Sequence, residues 1–507
     1  MVKKLFLTLI VLSLLVGCGP KTPPAPTSFS IFFNQRETAP YNADWLILQE
    51  YQKQQNVIFD VSIGDDSDYG RAITQTFESG NIPDIVLKIW PDTVESYAAS
   101  GVLLPFSDYE DLMPNFVAYI EAHDLQAELD KLRMANGKYY ILPGYQREIQ
   151  VQQWIYRRDA FEQNNLETPT TYDELFDALV TLKGIYPDST PITAIWGGAH
   201  LFAMMGANYG IPAGWNGTSH YNANTDTWQY SPAMENYHEM LRFLNRCYAA
   251  GILDPSFFTQ PDEEFQAKIE GGQALVSVTW ISSGLDSWND KLAANGVPGG
   301  NWEPLPVMES TNGIRFLPAV NPFRKGLVVP TRVINEPYLE ALIKFLDWAV
   351  YSEEGMTLTS WGVEGITYEK TNTGYAFLPD IQTSKNPEGT INIEKTYGLN
   401  LIFDLNENEA YEDYKKPADI VAFLQRSLDN NETAELKPLL VLNPNALEAI
   451  RIIDEKLVPY VDETRTAFIK GDLNIDNDWE EYVSQLETRG YLTLQEIWNT
   501  SWAAQNK

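Results

Sequence analysis

Two sets of side chains in this sequence are fit for chemistry: one cysteine close to the amino terminus, and a series of aromatic rings set beside glycines and strand ends. Trp90 closes an apolar run and Tyr145 follows Leu142-Pro143-Gly144. Trp196 precedes Gly197 and Gly198, and Trp215 sits between Gly214 and Asn216. Trp280 closes ALVSVTW, and Trp361 precedes Gly362. An indole face matches the apolar C–H face of a pyranose, while nearby Asp, Asn, Gln and Arg satisfy hydroxyls. Any one of these rings could equally fill a core. Trp90, Tyr145, Trp280 and Trp361 are the rings expected to face a ligand, with Asn34, Arg36, Asp65, Gln146 and Arg147 as polar partners and Glu148 beside them. Arg147 could hold a carboxylate through two guanidinium nitrogens or clamp two loops.

Covalent chemistry leaves no comparable trace. There is no G-x-S-x-G, P-loop, C-x-x-C or H-E-x-x-H pattern, and His238-Glu239 is followed by Arg242 where a second histidine would stand. His123, His200, His220 and His238 lack metal spacing and are expected to be surface or hydrogen-bonded residues. Asp472, Asn474, Asp476 and Asp478 alternate like a calcium loop, but Asn477 replaces the central glycine and Val483 the closing glutamate. A helix N-cap at Asn477 or Asp478 is the expectation there. Neither metal nor cofactor is expected. The 69 acidic residues leave a glycosidase pair open, because the required separation of about 5 to 10 Å is spatial.

Cys18 ends Leu15-Val16-Gly17-Cys18, which resembles the bacterial lipobox, where the thiolate accepts diacylglycerol. Lys3 and Lys4 precede an apolar run, 5–16, that falls short of the roughly 20 residues of a membrane span. Residues 1–17 are therefore expected to be a lipoprotein signal peptide. Residues 18–27, with four prolines, would be the lipidated cysteine and an extended tether, since proline-rich segments are stiff. Cys247, on a helical face with Leu241 and Leu244, reads as a buried thiol, so no internal disulfide forms. The formal charge of −33 opposes nucleic acid and anionic lipid, both of which reward basic patches. It leaves acidic ligands open, since screening lets a local arginine cluster dominate.

The elements that must position these residues begin near residue 28. Strand-like 28–33, 57–63 and 84–88 alternate with helix-like 41–54 and 69–78, an order that implies a parallel sheet with covering helices. Ligands bind beyond the carboxyl ends of such strands. A second α/β region begins near 150 with strand-like VQQWIYRR, followed by a helix capped by Thr170 or Thr171 with Leu175, Leu179 and Leu182 on one face. Residues 338–350 are strongly helical, 365–395 turn-rich, and 446–457 and 479–486 helical again.

The phrases GNIPDIV (80–86), GVLLPFSDY (101–109), NGKYYILPGY (136–145), IYRRDAFEQNNLETPTTYDEL (155–175), YAAGILDPSFF (248–258) and WGVEGITYE (361–369) give the chain its resemblance to bacterial extracellular solute-binding proteins of family 1. Within that group it resembles the large oligosaccharide-binding lipoproteins of ABC importers. The resemblance implies an α/β, two-lobed periplasmic-binding-protein-like fold of type II with the ligand between the lobes. It assigns 28–150 plus 317–365 to one lobe and 151–316 plus 366–507 to the other. Many such lipoproteins carry a calcium loop after the helix matching 172–183, but GIYPDSTPIT has Asp188 as its lone carboxylate, and that site is not expected here. The implied function is capture of an oligosaccharide or other small sugar by a monomer on the outer face of the cytoplasmic membrane, for delivery to ABC permease subunits. Enzymatic activity is not expected. The rival readings are a lipid-anchored secreted glycoside hydrolase and a purely structural lipoprotein without a cleft. Replacing Cys18→Ser should release or mislocalise the protein without unfolding its body. Mass spectrometry that still found a diacylglyceryl adduct on the variant would refute the lipobox reading.

Overall fold

The computed structural model describes residues 25–505 apart from 66–67, 135, 146–151, 282–284, 319–321, 373, 384, 387, 416 and 439. Among them lie thirteen strands: β1 (Thr27–Gln35), β2 (Val57–Asp65), β3 (Ile85–Ile89), β4 (Leu142–Tyr145), β5 (Gln152–Arg157), β6 (Thr190–Ile192), β7 (Ser219–Asn222), β8 (Thr227–Tyr230), β9 (Ala274–Trp280), β10 (Trp302–Pro304), β11 (Phe323–Val328), β12 (Tyr368–Thr371) and β13 (Gly374–Phe377). They form a five-stranded sheet, β2-β1-β3-β11-β4, a four-stranded sheet, β10-β5-β9-β6, and two hairpins, β7-β8 and β12-β13.

In the first sheet β1 runs parallel to β2 and β3, as the alternating pattern predicts, and β11 runs antiparallel to β3 and β4. Period-two alternation puts Phe29, Ile31 and Phe33 into one core and Phe32 into another, so β1 is covered on both faces. The first helix begins at Leu46, later than the pattern predicts. Trp45, fully buried, instead meets Phe33 and Tyr41 edge-on, and its Nε1 donates to the Lys395 carbonyl at 3.0 Å.

The second sheet holds Trp154, Tyr156, Val276 and Val278 in a separate core that also buries Cys247. Thr171, with Glu174, forms the capping box that starts the helix Tyr172–Ile185. Tyr172 accepts from Trp154 Nε1 at 3.1 Å and donates to Asn208 at 2.7 Å, a buried polar chain with every link satisfied. The calcium-like stretch folds on itself: Asn474 accepts from the N–H groups of Asp476 and Asn477, Asp476 pairs with Arg242, and Asp478 stands at the N-cap of Trp479–Thr488.

Among the described residues the chain passes three times between the core around Phe29 and the core around Trp154. Tyr145 packs on the first and Gln152 opens β5 of the second sheet; Leu317 belongs to the second core and Phe323 to the first; Leu405 belongs to the first and Ile420 to the second. The stretch 366–507, expected whole in the second lobe, is divided by the last passage. Ile381, Ile393, Leu399, Leu401 and Phe403 pack into the first core, where Phe403 meets Phe345 of the helix Leu339–Tyr351 with ring centres 5.3 Å apart. No helix among the described residues is long and apolar enough to cross a membrane.

Asp404 ties this last passage to the first sheet. Its carboxylate meets Lys88 Nζ at 3.2 Å and Lys325 Nζ at 3.9 Å, with both the Lys88 and Asp404 side chains almost fully enclosed. Burial pushes its pKa up, but the charges of Lys88, Lys325 and Arg36 outweigh burial and hold it below the usual aspartate value. A carboxylate whose folded pKa is depressed adds stability that is present above the unfolded value of about 3.9 and is lost as pH falls through the folded value. Asp404→Asn should therefore lower stability by about 3–5 kcal/mol at neutral pH, leaving Lys88 buried without its counter-charge. Denaturant melts across pH should show the gap narrowing below about pH 4.

Candidate functional site

The register of the two sheets brings their carboxyl ends together. β1, β2 and β3 end at one edge, and the pairing of Phe323 with Tyr145 places the end of β4 and the start of β11 at that same edge. In the second sheet β6 and β9 are parallel, and Gln152 pairs with Trp280, so β5 begins where β9 ends. Tyr145 and Gln152 are seven positions apart, a span of at most about 25 Å. At this passage the carboxyl ends of the two sheets therefore lie no farther apart than that.

On the second wall four side chains converge. Trp196 has φ of +53°, followed by Gly197 at +60° and Gly198 at +81°, a left-handed run that turns the chain from β6 into the helix Ala199–Asn208 and leaves the Trp196 indole half exposed. Such a conformation at tryptophan is strained, and strain concentrates at functional sites. Trp215 stacks on Trp196 with ring centres 5.2 Å apart and 23° between planes. Its loop can approach because Gly214 lies so close to the Ala199 carbonyl that no β-carbon fits. His200 stands nearly perpendicular to Trp215, Trp196 and Trp280, at 4.3, 4.8 and 5.8 Å. It is 3% exposed, its Nε2 makes no hydrogen bond to the described residues, and burial lowers its pKa to about 4. The imidazole is therefore neutral at physiological pH, neither on the surface nor hydrogen-bonded at Nε2 as its type alone suggested.

The first wall carries Trp90, half exposed at the N-cap of the helix Pro91–Ala99. Beside it, Lys88 adopts φ of +54° within a strand buried along its length, so its ammonium reaches Asp404. Arg36 pairs with Glu394 at 2.9 Å, and Asn34 is buried at the end of β1. The Tyr145 N–H donates to Asn406 at 2.7 Å, and its ring meets His123 and Tyr119. Asp65 ends β2, opposite Gln35. Gln146, Arg147 and Glu148 lie outside the described residues.

Trp361 is corrected: it is 1% exposed and donates Nε1–H to Asn408 at 3.2 Å, among Tyr368, Tyr375, Phe377 and Tyr411, so no ligand reaches its face. Trp196, Trp215 and His200 lie outside the set expected to bind. The signals were Trp-Gly-Gly, Gly-Trp-Asn-Gly, and a histidine four residues after a tryptophan, but nothing in the sequence pairs the two loops. Among the described residues no cluster of His, Cys, Asp or Glu could hold a metal ion. A further cavity of about 590 Å³, lined by Arg315, Phe316, Asn431 and Glu432 among others, opens beside the second passage. It sits near the far end of Ala199–Asn208 from His200, where Asn208 donates to the Phe316 carbonyl.

Residues 47–357 match the model of a family described as bacterial extracellular solute-binding protein. The fructooligosaccharide ABC transporter substrate-binding protein FusA of Streptococcus pneumoniae is 24% identical over 486 residues, covering 89% of this chain and 86% of that protein. The polygalacturonan/rhamnogalacturonan-binding protein YtcQ of Bacillus subtilis is 23% identical over 64% of this chain and 63% of its own length. Among solved structures, the alginate-binding protein AlgQ2 without calcium ion superposes with a TM-score of 0.76 at 18% identity, covering 95% of this chain and 98% of that one. An extracellular solute-binding protein from Bifidobacterium longum subsp. infantis reaches 0.75 at 14% identity, covering 96% and 100%. These likenesses establish the two-lobed type II fold.

Two substitutions separate core from wall. Trp361→Ala should cost about 3–5 kcal/mol of stability in denaturant melts. Trp196→Ala, at an exposed ring, should cost under about 1 kcal/mol. Equal losses would place both rings in cores.

Proposed function

Because the chain belongs to the bacterial extracellular solute-binding proteins, we propose that it captures an oligosaccharide outside the cytoplasmic membrane and hands it to an ABC importer, held there by a lipid on Cys18. The observation that carries this reading is the aromatic wall of Trp196, Trp215 and Trp280 around His200, with Trp90 half exposed just past the end of β3 in the other sheet. Half-exposed indoles offer stacking faces to pyranose or furanose rings, and the buried imidazole of His200 holds the rings of the second wall in place from behind. Asn34, Arg36, Asp65, Tyr145, Gln146 and Arg147 complete the proposed binding set along the first wall and its passage. FusA and YtcQ carry oligo- and polysaccharide names, which supports a carbohydrate ligand.

In this reading the first lobe comprises 25–145 and 323–411, the second 152–317 and 418–505. Ligand bridges the two walls, and the population shifts toward the closed form by the difference in its affinity for the two states. A monomer suffices for this, and no bond of the sugar need be broken. No observation favours a glycosidase.

A panel of neutral and uronic oligosaccharides, screened by thermal shift on the purified body, should find a stabilising sugar. At 100 times its dissociation constant that sugar adds about 2.7 kcal/mol, and chromatography should recover it intact. Cleavage abolished by a single carboxylate substitution would instead make the protein a hydrolase.

A further inference from the structure

Besides the three passages of the backbone, a non-covalent link joins the two lobes. The helix Pro91–Ala99 starts directly after Trp90 and buries Val94 and Ala98 in the first lobe. On its flank, the Glu95 carboxylate accepts the backbone N–H of Leu442 at 2.9 Å. Leu442 packs against the core of the second lobe. It immediately precedes Asn443, the N-cap of the 27-residue helix Pro444–Lys470, and the helix Pro91–Ala99 lies against that helix.

The chemistry of this contact favours a carboxylate. The positive end of a long helix dipole lies at Asn443, where Asn443 itself accepts from Ala446 N–H. An anion placed there gains from the dipole and from a charge-assisted hydrogen bond, the stronger kind. Neither gain is available once the lobes rotate apart, because donor and acceptor ride on different cores. Glu95 and Trp90 also share one rigid element, so a ring seated on Trp90 and the carboxylate at Leu442 are fixed relative to each other.

We infer that Glu95 is a positioning residue for capture: by accepting from Leu442 at the start of the helix Pro444–Lys470 it holds the lobes together and sets how much of the ligand-free protein is already closed. Its meaning rests on the two-lobed capture reading, but its readout needs no sugar. A population closed in advance raises the apparent affinity for any ligand selective for that form, by the factor by which the closed fraction grows. The link is partly exposed, so salt weakens it.

The test compares the ligand-free mature chain with its Glu95→Ala and Glu95→Gln variants by small-angle X-ray scattering, with circular dichroism as the control for folding. Removing a hydrogen bond to a charged group shifts a two-state balance by about tenfold. Glu95→Ala should therefore scatter as a more open particle with a larger radius of gyration and unchanged helix content. Glu95→Gln, which keeps an acceptor but loses the charge, should fall between, and high salt should move the native protein toward the variants. Should the alanine variant fail to fold, the glutamine variant and the salt series carry the same comparison. Folded variants whose scattering matches the native protein at every salt concentration would overturn the inference. A failed sugar screen alongside opened variants would count against the carbohydrate reading and leave the role of Glu95 standing.

Discussion

The structure depends on one constraint: among the described residues the backbone passes three times between the core around Phe29 and the core around Trp154, and at the first passage only six residues lie between Tyr145 of one sheet and Gln152 of the other. So short a link holds the carboxyl ends of the two sheets within a span of a sugar chain's scale. Everything that could recognise a ligand then follows from what those ends carry. Tyr145 and Phe323 stand in register on one side, and Gln152 and Trp280 on the other. The passage made after Leu405 is fastened by Asp404, whose buried contact with Lys88 reaches the end of the central strand β3. The side chains at the crevice are thus set by the same contacts that join the lobes.

Electrostatics at the crevice differs from that of the surface. The chain as a whole is strongly acidic. Yet the first wall gathers Lys88, Lys325 and Arg36 about one buried aspartate, and the second is built from neutral rings. Burial keeps His200 uncharged, so it adds no charge beside the indoles around it. Two of the left-handed residues lie in the same places: Trp196, whose indole is half exposed on the second wall, and Lys88, whose ammonium reaches Asp404 beneath the first. Strain of this kind persists only where the surroundings enforce it.

Much of this was legible in the sequence. Alternation in 28–33, 57–63 and 84–88 gives the parallel half of the first sheet, and the pair Thr170-Thr171 marks the start of the helix Tyr172–Ile185 in the second core. The exposure of Trp90 and the place of Trp280 follow from their positions at strand ends. Trp361 misled, because a Trp-Gly pair marks a turn without saying whether the ring faces solvent or the cluster of Tyr368 and Tyr411 beneath it. The pairing of Trp196 with Trp215 could not be read, since it depends on Gly214 docking against Ala199 across a gap that local patterns do not span. The same holds for the return of residues 381–405 to the first core, which is fixed by long-range packing alone.

A ligand that bridges the lobes must touch both walls. Calorimetric titration of the stabilising oligosaccharide against the native protein, Trp90→Ala and Trp215→Ala reads this most directly, because each substitution removes a stacking face from one wall only. Losing roughly 60 Å² of apolar contact weakens binding about tenfold. Such a loss is expected from either substitution, with one sugar bound per chain. Undiminished affinity in either variant would mean that the ligand touches a single lobe, and would contradict capture between the two walls.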